Sequence, residues 1–246
     1  MHNPAQISGK ASLERPPKWR IFAVLTLPII LIFLLITLFI VFYSALGHEL
    51  TNANAFVSEY IAVFFILNHV IAFGALMWFI RKDRLWLSDI GFRLPDNGVK
   101  GLILEITIAI LTTLIVIGFL TLILPLFEAF QADTPNIVRG DKKLGNIFLL
   151  TLFASVCVAS FVEETIYRGY GITVLSRHWG ILSAIIISSI FFGLFHISYG
   201  IVGVIRTTFQ GLLFALLFTR SKSLLGPIVA HSSTNLIATL WAFDVI

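Results

Sequence analysis

Charge is what this chain has least of. Asp, Glu, Lys and Arg make up 12% of its 246 residues, about half the share of a soluble domain. So few charges cannot cover a water-facing surface, which excludes an ordinary soluble globule. Cysteine is nearly absent too. The single Cys157 lies within an apolar run, so no internal disulfide forms. The chain has no internal repeat, low-complexity tract or Pro/Gly-rich linker, and a single domain is expected after a short basic tail. Several protease signatures are missing as well. The nearest approach to H-E-x-x-H is His48-Glu49, followed by Leu50-Thr51-Asn52. There is no G-x-S stretch for a serine nucleophile and no G-x-G-D for paired aspartates.

Apolar residues are abundant, at 58%, with 23 phenylalanines. They come in blocks near 21–43, 61–80, 101–125, 146–164, 180–197, 200–219 and 224–243. A membrane-crossing helix needs about 20 such residues. The fold class expected is all-α: a polytopic transmembrane helical bundle of seven spans, eight if one block is broken. The basic tail 1–20 and the run after it resemble a secretory signal, but that run is too long and no A-x-A site follows. It reads as a retained first helix, with residues 21–246 forming one transmembrane domain and a motif-bearing core at 146–243.

A pI near 9.4 raises the question of nucleic acid. The basic residues, however, are scattered among helix ends and read as topology signals, so no nucleic-acid partner is expected. With the N-terminus inside, thirteen Lys and Arg from Lys10 to Lys222 fall on the cytoplasmic side, against Arg139, Lys142, Lys143 and Arg206 outside. That asymmetry predicts a cytoplasmic N-terminus, in a plasma or inner membrane if the source is bacterial.

Ionisable residues within spans raise a functional-site hypothesis. Glu59, Glu105 and Asp244 fall near helix ends and read as structural; His2, His48 and His178 belong to the tail or loops. His69, beside Asn68 in mid-helix, reads as an interhelical hydrogen-bonding residue. The stretch SFVEETIYRGYG, residues 160–171, is different. Glu164 and Arg168 stand at i and i+4 with the acid first, the favourable order for a helical ion pair. Glu163 points about 100° away and is left unpaired, available as a general base. FFGLFHIS places Phe192 and His196 at i and i+4, and AHSSTNLI does the same for His231 and Asn235. Glu163 and His196 also lie almost equally far from Gly180. A turn at SRHWG therefore matches their depths, although Ile197–Thr219 then needs a re-entrant or broken course.

Together, E-E-x-x-x-R at 163–168, F-x-x-x-H at 192–196 and H-x-x-x-N at 231–235 resemble the CAAX protease and bacteriocin-processing family. That family is also called abortive-infection-like and includes the type II CAAX prenyl endopeptidases. The resemblance implies an intramembrane endopeptidase of about eight spans, with a cavity facing the cytoplasm. Its partners would be the lipid bilayer and a peptide or protein substrate at the membrane. By the same resemblance, Glu163 activates water with help from His196. His231 and Asn235 donate to the oxyanion, and Glu164 and Arg168 hold the geometry. The family is commonly labelled metalloprotease, and a metal-free glutamate mechanism is also proposed for it. Zinc held by Glu163, His196 and His231 therefore stays open. The competing readings are a transporter or channel, with His69, Glu105, Glu163 and His196 along a proton or cation path, and a non-catalytic membrane scaffold.

Overall fold

The computed structural model describes residues 15–122, 146–243 and 245. His2, Lys10, Arg139, Lys142, Lys143, Asp244 and the side chain of Glu59 lie outside the described residues. Every regular element described is helical. The chain runs through α1 (Lys18–Ala45), α2 (Leu50–Lys82), α3 (Gly98–Leu122), α4 (Asn146–Leu152), α5 (Ser160–Glu164), α6 (Thr173–Phe195), α7 (Gly200–Ser221) and α8 (Leu225–Ala242). Two π-helical segments, Phe153–Ala159 and Thr165–Ile172, flank α5. Among the described residues, five helices are long and apolar enough to cross a membrane: Lys18–Ala45, Tyr60–Lys82, Gly98–Leu122, Ile147–Phe195 and Ile197–Ser221.

The 49-residue stretch Ile147–Phe195 is a hairpin. Gly180 adopts φ 77° and ψ 169°, a conformation that a residue without Cβ reaches cheaply. Beyond it the chain returns along itself. Ser188 donates to the Tyr167 carbonyl, and the Phe192 ring meets Tyr167 edge-on at 5.4 Å. The turn anticipated at SRHWG is thus present. The break anticipated in 197–219 is not: after a 3₁₀ turn, Ile197–Tyr199, α7 runs unbroken for 22 residues.

Helices α6 and α7 approach closely through small residues. A Cβ on Gly193 would overlap the Thr208 hydroxyl, and one on Gly211 would stand 3.2 Å from Ser189 Cβ. Short side chains bring backbones together where lipid supplies no hydrophobic drive between helices.

One end of the bundle collects the cations. Arg20 reaches Asp83 at 2.6 Å, Arg93 donates to the Lys222 and Ser221 carbonyls, and Arg220 meets Glu105 at 3.4 Å. At the same end His178 contacts the Pro16 carbonyl at 2.9 Å. Glu105 is buried and also accepts from Ser221 at 2.7 Å, so it joins α3 to α7.

Helix α8 is too polar to stand among the five candidate spans, and hydrogen bonding accounts for it. His231, Asn235 and Thr239 repeat at i, i+4 and i+8 on one face. Thr239 bonds Ser155 at 3.0 Å, and the neighbouring Ser232 donates to the Val156 carbonyl at 2.8 Å. The stripe is a seam against residues 155–164.

Candidate active site

The two carboxylates sit on α5, a five-residue α-helical turn between two π-helical stretches. Such widened turns recur at functional sites because they re-aim side chains that a regular helix would space evenly. Here Glu163, Glu164 and Arg168 are all buried in the bundle.

Glu164 and Arg168 form the ion pair that the i, i+4 spacing suggests, at 3.0 Å. Arg168 also donates to the Gly211 carbonyl at 3.1 Å, and its guanidinium lies 4.3 Å from the Phe192 ring centroid and 5.5 Å from Phe214. Phe192, the first residue of F-x-x-x-H, is therefore a lid over the arginine. Its ring also meets His196 at 5.0 Å and His231 at 5.6 Å. Burying a guanidinium this fully requires such compensation.

Glu163 is not unpaired. His69 Nε2 lies 2.9 Å from Glu163 Oε1, and His69 Nδ1 lies 2.6 Å from the Phe65 carbonyl. The expectation of a free carboxylate fails because the partner comes from α2, 94 residues earlier, where helical spacing within one segment has no reach. His69 is thus the interhelical hydrogen-bonding residue that its mid-span position suggests, and the structure identifies its partner as Glu163. The Phe65 carbonyl can only accept, so Nδ1 of His69 carries a hydrogen. Nε2 and Oε1 then share one proton, whichever atom holds it. The second oxygen, Glu163 Oε2, is buried without a hydrogen-bond partner among the described residues and faces His231 Nε2 at 3.9 Å.

The other imidazoles follow the same plan. His231 Nδ1 lies 2.8 Å from Glu164 Oε1, and His196 Nδ1 lies 2.9 Å from the Phe192 carbonyl. With Nδ1 turned to oxygen, each ring keeps Nε2 for other work. His196 is half-buried at the end of α6, its ring 5.2 Å from Phe195, which in turn lies 5.9 Å from His69.

Asn235 is placed differently from its expected role. Its amide donates to the Ser155 carbonyl at 2.8 Å and to Ser160 Oγ at 3.3 Å. It ties α8 to the segment carrying the glutamates, and His231 is the α8 residue that faces Glu163.

The residues present do not fit a zinc site as placed. Nε2 of His69 and Oε1 of Glu163 stand at hydrogen-bonding distance, and no group of three His, Cys, Asp or Glu among the described residues could hold a metal ion. A cavity of about 360 Å³ opens at the cation end, but it is lined by residues such as Arg93, Arg177 and Lys222 and by none of the seven motif residues.

No curated protein and no solved structure matches the chain. A family model does match, over residues 145–237, and its description is type II CAAX prenyl endopeptidase Rce1-like. That segment carries all three motifs but not His69. Over that segment the chain is similar to this protease family, the one the motifs resemble.

Proposed function

We propose that the protein is an intramembrane endopeptidase in which Glu163 activates water against a peptide bond of a membrane-associated or lipid-modified substrate. The observation that carries this reading is the environment of Glu163: both adjacent carboxylates keep one oxygen unpartnered among the described residues, but Arg168 pairs Glu164 alone. In Glu163, Oε1 is held by His69, while Oε2 is buried, unpartnered and directed towards His231. Leaving a carboxylate oxygen buried and unsatisfied costs about 1–3 kcal/mol or more. A water that bonds Oε2 removes that penalty and is placed for attack.

The reaction then runs with the protein's own groups. Oε2 takes a proton as the water oxygen attacks the carbonyl carbon. The carbonyl oxygen becomes an oxyanion, stabilised by hydrogen bonding from the His231 imidazole, which faces Glu163 Oε2. A donor of this kind is worth about 3–4 kcal/mol in the transition state. Nε2 of His196 orients the water. Collapse of the intermediate breaks the C–N bond, and the proton on Glu163 passes to the departing amine. His69 holds Glu163 throughout and, because it shares the Oε1 proton, adjusts its basicity. Arg168, Phe192 and Asn235 keep α5, α6 and α8 in register.

Taking the hairpin as two passes and adding α8 brings the described spans to seven. Glu163 lies 14 residues from Arg177 at the cation end, about 21 Å along the helix. The site is then well inside a hydrocarbon core about 30 Å thick. A proton or cation path through His69, Glu105, Glu163 and His196 is disfavoured, because Glu105 is engaged by Arg220 and Ser221 at the cation end.

The test is Glu163→Gln in purified, reconstituted protein, assayed on a lipid-modified C-terminal peptide library. The variant keeps shape and hydrogen bonding, so it should fold normally and lose cleavage. Wild-type turnover in Glu163→Gln would end the general-base assignment.

A further inference from the structure

We propose a second site at the cation end: a pocket for the phosphate of an anionic phospholipid headgroup, separate from the glutamate site. The cavity of about 360 Å³ there lies between the hairpin turn, the end of α7 and the 87–90 turn. Its walls carry three cations, Arg93, Arg177 and Lys222, and one carboxylate, Asp89.

These charges are not equivalent. Arg93 is committed to the last carbonyls of α7, through Nε to Lys222 at 3.1 Å and Nη2 to Ser221 at 3.3 Å. Asp89 accepts from the Trp86 amide at 2.9 Å. Arg177 and Lys222 remain. Arg177 is half-buried on the pocket wall, its Nη1 without a hydrogen-bond partner among the described residues, and Lys222 projects from a left-handed residue that ends α7. A phosphate is the partner that a planar guanidinium beside an ammonium suits best. The Ser176 hydroxyl on the same wall supplies a neutral donor.

Position favours a lipid as the source of the phosphate. The pocket lies where candidate spans end, at Ser221 and Lys82, which is headgroup depth. Ile181 forms part of its wall, and from there exposed Leu182, Ile186 and Ile190 continue down one face of α6. A headgroup held by Arg177 and Lys222 would lay an acyl chain along that stripe. Basic pockets between transmembrane helices at the interface take anionic headgroups in this way.

The experiment measures lipid binding to purified protein in detergent, with phosphatidylglycerol, phosphatidylcholine and inorganic phosphate as separate probes. Phosphatidylglycerol should bind about tenfold or more tighter than phosphatidylcholine at low salt, and Arg177→Gln with Lys222→Gln should remove that preference. Arg177→Lys, which keeps the charge, should retain most of it. Competition by millimolar inorganic phosphate would assign the pocket to phosphate as such. Failure to compete, with the preference intact, would assign it to the lipid. Equal binding of the two lipids, or an unchanged preference in the double Gln variant, overturns the proposal. Glu163→Gln should bind phosphatidylglycerol as wild type does, so this site and the protease reading fail independently.

Discussion

Glu163 and Glu164 are adjacent and both buried, yet their neighbours give them different work. Glu164 Oε1 meets Arg168 at 3.0 Å and His231 at 2.8 Å, so a guanidinium offsets its charge, while its Oε2, like that of Glu163, has no hydrogen-bond partner among the described residues. Arg168→Leu strands that carboxylate, and the expected loss is about 3–5 kcal/mol of stability, read as a lowered unfolding midpoint in detergent. An unchanged midpoint would remove the structural role of the pair. Glu163 has one oxygen tethered and one free, so its variants should affect rate far more than stability. His69→Gln keeps a hydrogen-bond donor to Glu163 but cannot exchange a proton. It should lower kcat about a hundredfold or more and leave KM near wild type. A kcat equal to that of wild type would show that His69 only packs. The i, i+4 pair was legible from spacing alone. The His69–Glu163 bond was not, because side chains 94 positions apart meet only once two helices are docked.

Among the helices, the closest fit is between α6 and α7. Gly193 faces the Thr208 hydroxyl and stands 2.8 Å, measured from its would-be Cβ, from the Val204 carbonyl. Gly193→Leu should separate the helices at a cost of about 1–3 kcal/mol or more. It should also reduce cleavage, because His196 sits three residues further along α6. Stability and activity equal to wild type would count against the tight seam. Helix α8 shows a related effect. Its polar stripe reads in sequence as residues converging on a cavity. In the bundle Asn235 and Thr239 bond residues 155–160, and only His231 continues to the carboxylates. The π-helical stretches on either side of α5 are likewise beyond sequence reading: Gly169 and Gly171 weaken a helix in TIYRGYGI, but nothing in either segment specifies a widened turn.

In the assembled bundle, α1 and α2 complete a site that the matched segment only begins. His69 comes from α2, and the Tyr170 hydroxyl donates at 2.7 Å to Asp83, itself paired with Arg20, which anchors the second π-helical stretch. Residues 146–246 expressed alone should therefore show no cleavage, even if inserted in the membrane. Activity from that fragment would show that α2 is dispensable. Orientation is also testable. In a Cys157→Ser background, a cysteine at Lys222 should react with impermeant reagent only from the cytoplasmic side, and one at Gly47 only from the other. The reverse pattern would invert the topology read from Lys and Arg placement.

Composition and block length determined an all-helical membrane protein, because apolar runs of about 20 residues have few other stable solutions. Helical spacing determined the Glu164–Arg168 pair, since neighbours one turn apart need no tertiary information. Tertiary structure alone decided which carboxylate oxygen is held and which is free, that Phe192 covers Arg168, and that Asn235 bonds backbone. It also decided that the cations gather around a separate pocket. Each of these depends on the rotation and depth at which helices dock, and those are set by packing between segments.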